Sequence, residues 1–64
     1  MDYEELARGF GRRQGQISKN RPGADALRMQ GELEAAIASL REDNVPEPCI
    51  AAYRGGFAMA VTGL

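Results

Sequence analysis

A chain of 64 residues with eight basic and nine acidic side chains has a net charge of −1, and 44% of it is apolar. That is room for one domain, residues 1–64, which at this length buries only about 60% of the surface its unfolded chain exposes, so support from a second subunit is expected. One cysteine, Cys49, excludes an internal disulfide and fits a reducing cytoplasm, and the absence of histidine leaves no metal site and no cofactor to expect.

The first stretch, Met1 to Glu5, is acidic and lacks the basic-then-apolar order of a secretory signal. Asp2 is suited to cap a helix, with Glu4 and Glu5 in the first turn, where the helix dipole favours negative charge. From Tyr3 to Arg21 the spacing predicts two short helices joined at Gly11, a residue that takes a turn conformation side chains resist. Leu6, Ala7, Phe10 and Ile17 would face inward. Arg13, Gln14, Gln16 and Lys19 would line the outer face of the second helix. Such a steeply bent pair is a helix-turn-helix.

The order Leu6-Ala7, Phe10-Gly11 and Ile17 resembles the helix-turn-helix of bacterial and phage repressors. The resemblance extends further when the lac-repressor type of headpiece is the comparison, because there the motif begins almost at the N-terminus and a third helix follows a short loop; in size and order of elements the chain is also similar to small phage repressors. Residues 3 to about 46 are covered by this resemblance. It implies a small DNA-binding transcription regulator, a repressor in most such cases, that works as a homodimer.

Asn20-Arg21-Pro22-Gly23 stops the second helix, since a residue before proline avoids the helical region. Over 24–43 the apolar residues Leu27, Met29, Leu33, Ala36, Ile37 and Leu40 recur at helical spacing and predict a supporting helix. Asn44-Val45-Pro46-Glu47-Pro48 is a stiff connection. Beyond it, over 49–62, two short apolar runs flank Gly55-Gly56, a pair suited to a two-residue hairpin turn. The expected fold class is therefore mostly α (α+β): a helix-turn-helix over 3–21, a third helix, and a C-terminal β-hairpin. A fourth helix kinked at the glycines competes for the alanine-rich tail.

Net charge argues against nucleic acid, but its distribution argues the other way. Five basic residues and no acidic one lie between Arg8 and Gly23, whereas Glu32 to Glu47 holds five acids against Arg41. In the helix-turn-helix reading Arg13, Gln14, Gln16 and Lys19 reach base edges, where Arg pairs with guanine and Gln with adenine. Arg8, Arg12, Ser18 and Arg21 contact phosphates. In the hairpin Ile50, Ala52, Phe57, Met59 and Val61 would form an apolar face that pairs two subunits.

Two other readings stay open. One is an ordinary helical hairpin whose charged side is merely solvated. The other is a small phage-type inhibitor that binds a host protein rather than DNA, served by the acidic 32–47 segment and an open hairpin edge. An enzyme is not expected: no histidine can act as a base, and Glu32 and Glu34 point to different sides of their helix. The tail is too short and too broken by Arg54 and the glycines to span a bilayer, and the basic stretch lacks free aromatics for a membrane surface.

Overall fold

Asp2 does cap a helix: its Oδ1 accepts hydrogen bonds from the backbone N–H groups of Glu4 and Glu5, at 3.0 and 3.3 Å. The helix it starts does not stop at Gly11. In the computed structural model, which describes residues 2–63, α1 (Tyr3–Lys19) runs unbroken through the expected turn. It is followed by α2 (Ala26–Glu42) and α3 (Glu47–Thr62), and no strand is present among the described residues. The helix-turn-helix over 3–21 and the C-terminal β-hairpin are both overturned by this, and the fold is all-α.

Gly11 keeps a helical backbone, and so do Gly55 and Gly56. Positive φ occurs at Gly23, Asn44 and Gly63, at the ends of helices and not inside them. A two-residue hairpin turn needs positive φ, so no turn forms at Gly55-Gly56. Pro48 falls in the first turn of α3, where its missing N–H costs nothing, and the alanines that follow favour the helix. The tail is thus helical from Glu47 onward.

Connections are short and specific. Asp25 takes an extended conformation and its Oδ1 accepts from the Arg28 N–H at 2.8 Å, starting α2. At the other end Asn44 adopts φ 59°, its N–H donates to Arg41 O at 3.0 Å, and the Val45 N–H donates to Leu40 O at 3.1 Å. That pair of bonds is a Schellman motif, and Leu40 and Val45 on either side of it both pack against the core. The supporting helix expected over 24–43 is found as α2 within those bounds.

Such short links make α2 antiparallel to both neighbours and leave α1 parallel to α3. These two share by far the largest interface of the molecule. Gly11 lies against the backbone of Tyr53, Gly15 against Phe57 and Ala60, and Gly56 against the backbone of Arg8 and Arg12. A methyl group added at Gly15 would sit 2.7 Å from the Ala60 Cβ and 2.8 Å from the Phe57 carbonyl oxygen. Ala7, Gly11 and Gly15 are small residues at four-residue spacing on α1, as Ala52, Gly56 and Ala60 are on α3, and Gly15 meets Ala60 directly. Four-residue spacing of small side chains lets two backbones touch, as it does in membrane helix pairs.

α2 stands further off, spaced by larger side chains. Leu33 and Ile37 join Ile50, Tyr53 and Phe57 in the core, with Met29, Ala36, Leu40 and Val61 at its edge. Burying Ile37, Ile50 and Phe57 contributes about 1.5–3 kcal/mol each. The Cα envelope is flat, 34 × 23 × 12 Å. No helix among the described residues is long and apolar enough to cross a membrane.

Candidate protein-interaction face on the first helix

With one face of α1 given to glycines and to α3, its larger side chains have to go elsewhere. Tyr3, Leu6, Phe10, Arg13 and Ile17 are spaced alternately three and four residues apart, so on a continuous helix they form a single stripe. The stripe is solvent-facing: Tyr3 is 70% exposed, Leu6 42%, Phe10 58% and Ile17 46%. Soluble chains scatter single apolar residues over their surface, but four large ones in one line on one helix are a patch.

Phe10 and Leu6 stand up as a ridge with a trough on each side. One trough, of about 400 Å³, is lined by Asp2, Glu5, Leu6, Gly9, Phe10 and Arg13. The other, of about 380 Å³, runs between α1 and the start of α3 and includes Tyr3, Ala7, Val45, Pro46 and the half-buried Cys49. A ridge between grooves is the surface form that a second helix packs onto.

Charge is divided along the same helix. Asp2 caps it, Glu4 and Glu5 lie in its first turn, and Arg12, Arg13 and Lys19 in its second half. Arg8 reaches Glu5 at 4.0 Å. Arg12, Arg13 and Lys19 have no carboxylate partner among the described residues. Arg12, Gln16 and Lys19 line a smaller polar trough beside Met59 and Gly63 of about 170 Å³.

The residues expected to touch DNA are therefore dispersed in role. Arg12, Arg13, Gln16 and Lys19 are exposed, and Gln14 is half-buried. Ser18, expected at a phosphate, is instead buried between helices, where its hydroxyl hydrogen-bonds the Glu32 carboxylate. Arg21, expected at a phosphate too, is paired with the same Glu32 at 3.1 Å. This three-residue cluster ties the end of α1 to α2, since a carboxylate accepts from both donors at once.

The expected dimer face over 49–62 is also rearranged. Ile50, Ala52 and Phe57 are buried in the core, Val61 is half-buried, and only Met59 is well exposed. A period-2 ribbon would have lined all five on one side, but on a helix Ile50, Tyr53, Phe57 and Ala60 share the inward face. The three buried ones are not free to pair subunits.

The stripe Tyr3, Leu6, Phe10 and Ile17 was missed because a bent helix pair needs Leu6, Phe10 and Ile17 inside. Its signal is in the sequence all the same, as the three-four alternation continuing straight across Gly11. Among the described residues no group of His, Cys, Asp and Glu is placed to hold a metal ion. Burial raises the Tyr53 pKa above its ordinary 10.0. Comparison of the chain with protein-family models, with curated proteins and with solved structures gives no match.

Proposed function

We propose that this protein is a small helical interaction module that binds a protein partner through the exposed stripe of α1, and is neither an enzyme nor a sequence-specific DNA reader. The observation that carries this reading is the row Tyr3, Leu6, Phe10 and Ile17, left in solvent by a helix whose other side is tightly seated. Amphipathic helices recognise helices and grooves through anchors at such spacing. An inhibitor that occupies a host protein's surface is a function of this kind. The lone half-buried thiol of Cys49 suits a reducing cytoplasm.

DNA reading loses its bent helix pair, its Ser18 contact and its free Arg21. What supports it still is the exposed group Arg12, Arg13, Gln16 and Lys19, which a phosphate backbone would attract. Two experiments separate the readings. A photoreactive phenylalanine at position 10, introduced in the source cell, is expected to cross-link to protein, while the same group at Ala38 on the exposed side of α2 is not. Titration of duplex DNA at low and high salt is expected to show no binding. Cross-links to nucleic acid at position 10, or tight low-salt DNA binding that weakens steeply with salt, would overturn the protein-partner reading.

A further inference from the structure

Apart from Arg8, which approaches Glu5 at 4.0 Å from within the same helix, the charge order along α1 is antisymmetric, acidic in the first turn and basic in the second half, with apolar side chains spread between. A surface of that kind is complementary to itself when turned end for end. Resting on the interaction-module reading above, we propose that the stripe of α1 is occupied by the same stripe of a second copy of this chain, in an antiparallel, two-fold arrangement.

The register follows from the residues. Turning the helix about a two-fold axis beside Phe10 sets Phe10 against Phe10 of the second copy and Tyr3 against its Ile17. Leu6 then lies beside the stem of Arg13 from the other copy, whose guanidinium reaches the Glu5 carboxylate. The relation is reciprocal, so two such Glu5–Arg13 pairs form for every dimer, as an isologous interface requires.

Gly9 borders the proposed contact. A glycine in a helix interior costs about 1 kcal/mol relative to alanine. Gly11, Gly15 and Gly56 are explained by the backbone that touches them, whereas a Cβ at Gly9, as at Gly31 and Gly55, would meet nothing within 4 Å. Gly9 lies in the floor of the trough between Glu5, Phe10 and Arg13. In the dimer it leaves the trough deep enough to seat the aromatic ring of the second copy.

Sedimentation equilibrium of the intact protein is the test, run beside three variants whose helicity is first checked. Wild type is expected at twice the chain mass. Phe10→Ser, at a position exposed in the protomer, is expected to be monomeric with unchanged helicity. Glu5→Arg and Arg13→Glu are each expected to associate roughly tenfold or more weakly, because each puts like charges together twice. Mixing these two variants is expected to restore association, since each reversed charge then meets its opposite. A wild type that stays monomeric, or a mixture no tighter than the separate variants, overturns the proposal. The cross-link at position 10 distinguishes the failures: a monomer that still cross-links to another protein loses the self-pairing alone, whereas a monomer that cross-links to no protein loses the interaction module as well.

Discussion

Gly56 of α3 sits directly against the backbone of Arg8 on α1, with no space for a side chain between them. The Arg12 amide nitrogen would lie 3.0 Å from any Cβ built there. Both atoms belong to a helix backbone, so they cannot swing aside as a side chain would, and an added methyl has to push the two helices apart.

The first prediction concerns this contact. Gly11→Ala and Gly56→Ala are each expected to destabilise by about 2–3 kcal/mol, the cost of overpacking a rigid interface. A chain of this length has roughly 3–10 kcal/mol in total. Gly31→Ala and Gly55→Ala, where a Cβ meets nothing, are expected to stabilise by about 0.5–1 kcal/mol through helix propensity. Urea unfolding followed by circular dichroism decides it: the two pairs must move the midpoint in opposite directions.

Much of this misled a reading of the sequence for one reason. Glycine marks turns and also marks places where helices touch, and a single glycine does not say which. The sequence pattern favours a turn at Gly11 and, over a kinked helix, one at Gly55-Gly56. The deciding signal was the matching four-residue repeats, Ala7/Gly11/Gly15 and Ala52/Gly56/Ala60, which make sense only as two helix faces. α2 was readable because its apolar positions recur without glycine on the inward face and Asp25 opens it. In the candidate site, exposure of Arg12, Arg13, Gln16 and Lys19 was readable from their charge and polarity. Exposure of Leu6, Phe10 and Ile17 was not, because hydrophobic patterning gives the stripe but not which stripe faces the core when glycines compete for that place.

Glu32 receives both the Ser18 hydroxyl and the Arg21 guanidinium. Glu32→Ala is expected to destabilise by about 1–3 kcal/mol, because it leaves the buried Ser18 hydroxyl without its partner. Replacing both, Ser18→Ala with Glu32→Ala, is expected to cost less than the sum of the single changes. A double-mutant cycle on denaturation free energies measures the coupling, and strict additivity would show that the two groups act separately.

Burial raises the Tyr53 pKa above its ordinary 10.0. The folded state thus holds the phenolic proton more tightly than the unfolded chain does. Its contribution to stability is complete below pH 10.0 and is lost as pH climbs past that value through the folded pKa. Unfolding midpoints measured at pH 8 and 11 are expected to fall more for the wild type than for Tyr53→Phe, which has no proton to lose.

Asn44 holds φ 59° at the end of α2. Asn44→Gly is expected to leave stability unchanged or raise it by up to about 1 kcal/mol, and Asn44→Ala to lower it by about 1 kcal/mol, since a Cβ resists the left-handed region. Thermal melts of the three proteins test the order Gly, Asn, Ala.

Parallel packing of α1 on α3 has a consequence for how the protein comes into being. The two helices in most intimate contact are separated in sequence by the whole of α2 and both connections. While the ribosome is still making α3, the first helix has nothing to seat its glycine face, and a short helix on its own is barely stable in water. The native shape is therefore reached only once α3 has emerged and can close on α1.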